Sequence, residues 1–351
     1  MYSHIPVMLD EVIEYLNPQA GKNFVDCTLG GGGHALEILK LVAPDGKVLG
    51  IDLDEKALQF VKSKACPEFA ERVHKVKSLE NNLILVQDNF ANLKNILSEH
   101  NFYSAHSILL DLGISSAEYE ESGRGFSFQK DESLDMRFCG TSHNHSQERS
   151  WQKNVQSVPL YKRGQGCVSA ELTAEEIVNT WHKDELTKIF REYGEEPLAG
   201  KIASKIVDAR RNKKISSTKE LSDLIFGEYK RVYKNKTFKK HPATKIFQAL
   251  RIAVNHELEN LESVLPQALE ALEKDGRLAV ISFHSLEDRI VKKFFALNAK
   301  GCICPPDFPV CKCGHKPLLK IITKKPIIPS DDEIAHNPRA RSAKLRVAEK
   351  I

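Results

Sequence analysis

Phe24-Val-Asp26-Cys-Thr-Leu-Gly30-Gly31-Gly32-Gly33-His34-Ala35 decides the fold. The run begins as a short β-rich stretch, turns through four consecutive glycines, and opens a helical pattern near His34. In an open α/β sheet, a strand that passes through glycine into a helix is where backbone approaches a bound nucleotide, because a residue without Cβ lets the ligand come close. A turn that only ends a strand has no use for four glycines, each of which loses conformational entropy on folding.

Working outward, β-type runs alternate with helical ones: residues 47–52, a helix from about Asp54, then 83–87 and 107–111. Ahead of the loop, Met8, Leu9, Val12, Ile13 and Leu16 recur at helical spacing and stop at Asn17-Pro18. This alternation reads as an α/β fold with a doubly wound parallel sheet. It breaks after Asp111 and resumes with a β-type run at 277–283, then a helix from about Leu286 and β-like runs at 319–323 and 343–348. The break is expected to hold an inserted helical domain. Within it Thr173-x-x-Glu176 has the form of a capping box, and 198–209 and 218–226 show helical apolar spacing. The expected organisation is a core of residues 1–113 and 246–351 around an insertion of 114–245, with 139–171, rich in Ser, Gln, Gly and His, as an exposed or disordered loop without chemistry.

Gly30-x-Gly32-x-x-Ala35 also satisfies the loose dinucleotide fingerprint, and Asp52, at the end of the next strand, suits ribose hydroxyls. A nicotinamide dinucleotide and S-adenosylmethionine both remain open on this evidence. Asp26 tilts the reading to the second, since a carboxylate suits a cationic sulfonium better than an anionic pyrophosphate. Asp111-Leu-Gly-Ile-Ser115-Ser116 closes the fourth strand, at the sheet end where ligands bind.

Composition sets the frame. The chain has 351 residues, 41% hydrophobic and 28% charged, which predicts a packed core and excludes a disordered chain. No apolar run reaches the roughly 20 residues that span a bilayer, and the first residues have no signal or transit pattern, so the expected address is the cytoplasm. Net charge is only +4, so a nucleic-acid reading must rest on where the charge sits. Residues 231–251 carry seven Lys or Arg and no acid, and 201–219 are similarly basic; phosphate binding and a solvated helix face are the competing readings, and the position in and beside the insertion favours RNA contact.

Several ordered motifs jointly resemble one family: Gly30 to His34, Asp111 to Ser116, Arg124-Gly-Phe-Ser-Phe128, Leu134-Asp-Met-Arg137, His241-Pro-Ala-Thr244, Ser282-Phe-His-Ser-Leu-Glu-Asp-Arg289 and Asn337-Pro-Arg-Ala-Arg-Ser342. Together they resemble the MraW/RsmH family of ribosomal RNA methyltransferases. That resemblance implies a Rossmann-like S-adenosylmethionine methyltransferase core. It also implies methylation of the exocyclic N4 of a cytidine in 16S ribosomal RNA, position 1402 in that RNA's usual numbering, within the small ribosomal subunit. Implied cofactor contacts fall on Gly32, Gly33, His34, Asp52, Phe90 and Asp111, with Glu118 standing where the family usually has Gln, or sometimes His. No membrane is implied, and a homodimer stays open.

For such a reaction an acceptor must orient the amine and a base must take its proton, with Asp111 the first candidate and Ser115 and His284 as partners. His284 with Glu287 and Asp288 equally fits a helix cap. A flipped or unpaired base needs a stacking surface, for which Phe126 and Phe128 are candidates, with ordinary packing the alternative. Methyl transfer calls for no metal, and none is assigned to the site. Cys302-x-Cys304 and Cys311-x-Cys313, with His315, read either as a tetrahedral zinc site or as a proline-shaped loop of reduced thiols. Two other functions compete: a nicotinamide oxidoreductase sharing the loop, and a non-catalytic RNA-binding assembly factor.

Overall fold

The computed structural model describes residues 5–65, 82–113, 123–138, 172–234, 237–238, 240–304, 310 and 312–351. It divides into two compact units, Met1–Ser115 with Leu258–Ile351, and Ser116–Glu257. Residues 246–257, expected on the core side of the boundary, belong to the second unit. The helix over Thr244–Asn255 packs against other helices of that unit.

The first unit is a seven-stranded sheet in the order β3-β2-β1-β4-β5-β7-β6. Its strands are β1 (Phe24–Asp26), β2 (Val48–Asp52), β3 (Leu83–Gln87), β4 (Ala105–Asp111), β5 (Leu272–Ser282), β6 (Leu319–Ile321) and β7 (Lys344–Lys350). β1 to β5 run parallel, and β7 is antiparallel to both β5 and β6. The chain steps outward from β1 to β3 and returns to β4 on the other side of β1, so the order reverses between β1 and β4. That reversal opens a crevice at the C-terminal strand ends.

Both faces of the sheet are covered, which explains the nearly continuous apolar runs. Alternate residues feed opposite cores. Val25, Ile108, Leu110, Leu278 and Val280 pack with α4 (Leu93–Glu99), α10 (Glu257–Ala271) and α11 (Ser285–Asn298). Phe24, Leu109, Ala279 and Ile281 pack with α1 (Leu9–Leu16), α2 (Gly33–Val42) and α3 (Glu55–Lys64). A last short helix, α12 (Asp331–His336), ties the N-terminal segment down: Met8 N–H donates to Glu333 Oε1 at 2.7 Å.

The second unit is helical: α5 (Ala174–Thr180), α6 (Lys183–Glu192), α7 (Ala199–Arg210), α8 (Thr218–Tyr233) and α9 (Thr244–Asn255). Thr173 and Glu176 form the expected capping box. The Leu134-Asp-Met-Arg137 motif is architectural here. Its backbone bonds to Ser216, Ala174 and Glu175, and the Asn255 amide accepts from Phe138 N–H while donating to the Met136 carbonyl. Residues 139–171, expected as an exposed loop, lie outside the described residues.

Candidate cofactor site

Three aspartates end neighbouring strands at the crevice: Asp26 on β1, Asp52 on β2 and Asp111 on β4. Sequence alone gives each an acid at a strand end; the sheet order makes them one cluster. Asp26 is 1% exposed and accepts from Thr28 N–H at 3.1 Å. Burial pushes its carboxyl up to about 7, against the pull of the Thr28 bond and with a further push from the Asp52 charge. Asp52 is likewise raised to about 6 by burial, although Oδ2 accepts from Gly30 N–H at 2.7 Å and Oδ1 from Asp54 N–H at 2.8 Å. Each oxygen keeps a lone pair for a ribose hydroxyl.

Asp111 is raised well above the ordinary aspartate value, first by burial and then by the charges of Asp26 and Glu287. Its Oδ1 is buried and has no hydrogen-bond partner among the described residues, and its Oδ2 lies 3.8 Å from His34 Nδ1. His34 is buried, and its Nε2 sits 2.9 Å from the Val7 carbonyl, which can only accept. With Nε2 as the donor to that carbonyl, Nδ1 is the ring nitrogen that faces Asp111. Thr28 completes the link, its hydroxyl accepting from Asp111 N–H at 2.6 Å.

The glycine loop is shaped by need. Gly32 has φ +72°, and a Cβ there would stand 2.6 Å from Val61 Cγ2. A Cβ on Gly33 would meet Pro6 at 2.9 Å. Phe90 begins a short 3-10 turn after β3, half-buried and packed against the core. His284 caps α11: its Nδ1 accepts from Glu287 N–H at 3.4 Å, while Glu287 Oε2 accepts from the N–H groups of Phe283 and His284. His284 Nε2 is 3.1 Å from Glu287 Oε1 in an orientation that makes no hydrogen bond. Ser115 and Glu118 lie outside the described residues.

Thr28, Val7 and Glu287 are the members that motif reading did not assign to the site. Thr28, two residues beyond Asp26 in the glycine-loop motif, was the available signal for the first. Glu287 was legible only as a cap, and Val7 offered none, since its contribution is a backbone carbonyl.

A sheet in this order with an antiparallel β7, carrying acids at the β1, β2 and β4 ends and a glycine loop between β1 and α2, defines a Rossmann-like S-adenosylmethionine-dependent methyltransferase. The chain belongs to the MraW methylase family, whose model matches residues 1–161 and 165–351. It is 45% identical over its whole length to "Ribosomal RNA small subunit methyltransferase H" of Dehalococcoides mccartyi, covering 87% of that protein. It is 44% identical, again over its whole length and 98% of the relative, to the protein of the same name from Carboxydothermus hydrogenoformans. The nicotinamide and non-catalytic readings give way to this membership. The site fits the cofactor: a buried carboxylate oxygen awaits a donor or cation, and the positive-φ glycines keep side chains out of the loop.

In the helical unit the basic runs are compensated in part. Arg231 pairs with Glu228, Arg211 with Asp208, Lys213 with Glu220, Lys214 with Glu175 and Arg251 with Glu257. A cavity of about 990 Å³ is lined by Lys183, Lys201, Lys205 and Arg231, together with Asp208 and Glu228. Phe126 is buried, 5.8 Å from the Phe138 ring, with the Arg124 guanidinium over its face. Phe128 stacks on His241 at 4.6 Å. Both rings are thus engaged in packing, the alternative to base stacking. No described helix is long and apolar enough to cross a membrane.

Proposed function

We propose that this methyltransferase transfers a methyl group to the N4 amine of a cytidine in 16S ribosomal RNA, at position 1402, with the RNA presented in the small ribosomal subunit of the bacterial cytoplasm. The observation that carries the reading is the unpartnered, buried Oδ1 of Asp111, an acceptor set for an N–H donor. The names of the full-length relatives support the small-subunit RNA substrate.

S-adenosylmethionine, when bound, supplies an activated methyl group and leaves as the neutral thioether. Gly32, Gly33, His34, Asp52 and Phe90 hold the cofactor in this reading, and Asp26 and Asp111 supply negative charge for its sulfonium end. Asp111 accepts an N–H of the cytosine amine, which aligns the nitrogen lone pair and stabilises the amine as it becomes tetrahedral. As the new C–N bond forms, the nitrogen gains positive charge and one N–H proton moves to the carboxylate. Burial raises the Asp111 pKa, which makes its carboxylate a stronger base than an exposed one. His34 Nδ1 lies 3.8 Å from Asp111 Oδ2, and the Val7 carbonyl fixes the orientation of its ring. His284 acts as a positioning residue by capping α11 and orienting Glu287. Lys183, Lys201 and Lys205 in the helical unit contact RNA phosphates.

The test is to incubate the protein with labelled S-adenosylmethionine and small subunits from cells lacking the activity, then identify the nucleoside by mass spectrometry. N4-methylcytidine at one position is expected. Label on another atom, or on another RNA only, refutes the assignment.

A further inference from the structure

We propose that Cys302, Cys304 and Cys313 form a zinc site in the connector between α11 and β6, independent of the methyl-transfer site. The ligand atoms of the three cysteines all lie within 4.8 Å of one another. The Cys302 and Cys313 sulfurs are 3.7 Å apart, far beyond the roughly 2.05 Å of a disulfide bond. A zinc–thiolate bond of about 2.3 Å in a tetrahedron requires sulfur–sulfur edges of about 3.8 Å, which this separation matches.

The surrounding backbone points N–H donors at two of the sulfurs. Cys304 N–H points at Cys302 Sγ at 3.4 Å, and Ile303 N–H at Cys313 Sγ at 3.5 Å. Such donors stabilise sulfur-centred negative charge and orient the ligands, the usual outer support of a metal site. Cys302 and Cys313 are exposed and Cys304 is half-buried, so burial of apolar surface does not account for the cluster. Holding three sulfurs together across the loop costs closure entropy that a shared ion offsets. Soft thiolate donors select zinc among the common divalent ions. Cys311 lies outside the described residues, and His315 is not part of the cluster. The ion would clip the connector between the end of α11 and β6.

The full chain is produced with zinc in the medium and isolated without oxygen under reducing conditions. About one zinc per chain is expected by mass spectrometry of the metals. Cobalt(II) replacement should give thiolate-to-cobalt charge transfer and the intense visible bands of a tetrahedral ion. Cys304→Ser should weaken zinc binding about 100-fold, read by competition with a chromophoric chelator. Zinc below about a tenth of an equivalent overturns the proposal. Unchanged zinc affinity in Cys304→Ser overturns it too, as does a Cys302–Cys313 disulfide in the anaerobic protein. If that variant does not fold, the cobalt titration of the unaltered chain decides: charge-transfer intensity of three or more thiolates supports the site, and fewer refutes it.

Discussion

Replacing Asp26 with Asn should stabilise the protein increasingly as pH rises. Asp26 is 1% exposed at the end of β1, and burial, opposed by the Thr28 N–H and assisted by Asp52, lifts its carboxyl from 3.8 to about 7. In the unfolded chain the group ionises near its ordinary value. Between the two values the folded protein retains a proton that the unfolded chain has lost. Unfolding free energy therefore falls as pH rises through this window and levels off above about 7. A shift of about three units corresponds to ~4 kcal/mol across the window. Water entry and relaxation around the ionised carboxylate reduce that figure, so a loss of at least ~1 kcal/mol between about pH 4.5 and about pH 8 is expected. Asn retains an acceptor for Thr28 N–H and removes the titration.

Trp181 belongs to the helical unit, so its fluorescence would not report on the sheet. Native-state amide exchange of peptides covering β1 and β4 does. The stability gap between variant and parent should widen from acid to neutral pH. An equal gap at both ends of the range would show that Asp26 is not a buried acid held neutral by its surroundings.

The same cluster should make cofactor discrimination depend on pH. Asp26, Asp52 and Asp111 all have raised pKa values, so a cationic sulfonium displaces protons that the neutral thioether product leaves in place. The preference for S-adenosylmethionine over S-adenosylhomocysteine, measured by calorimetry, should rise with pH by up to about tenfold per unit for each proton released; a flat ratio contradicts this. Asp111→Asn should lower methyl transfer to RNA by about 100-fold or more, and near-parental rates in single-turnover assays would remove Asp111 as the base. Gly32→Ala should lower stability by ~1–3 kcal/mol because of its positive φ and the Val61 contact. Its cofactor dissociation constant should rise at the same time. Lys201→Gln and Lys205→Gln should each reduce the salt dependence of RNA binding, by about 0.7–0.9 in the logarithmic slope per phosphate contact; an unchanged slope would place these lysines away from RNA.

Much of the core was legible because strand periodicity and glycine chemistry are local. Residues 277–283 read as a strand, and Leu278 to Ile281 alternate between the two apolar clusters. The cap at Thr173 and Glu176 was legible for the same reason, since its two partners are three residues apart. The motif Leu134 to Arg137 was conspicuous but its work was not. Its partners, Ser216 and Asn255, are distant in the chain, and its role is to hold the helical unit together. The basic run 231–251 shows the opposite failure: charge was read correctly, but acids from outside the run, such as Glu228 and Glu257, neutralise part of it.

By itself the sequence determined the alternation of strands and helices, the glycine loop after β1 and the presence of acids at three strand ends, all properties of neighbours along the chain. Only the tertiary structure decided that β1 and β4 flank the reversal of strand order, and that β7 runs antiparallel between β5 and β6. It alone brought Asp111 to His34 and Thr28, left one carboxylate oxygen without a partner, and lifted all three acids out of their usual range. The physical reason is that desolvation and charge coupling depend on what surrounds a group in space, and residues far apart in the chain supply those surroundings.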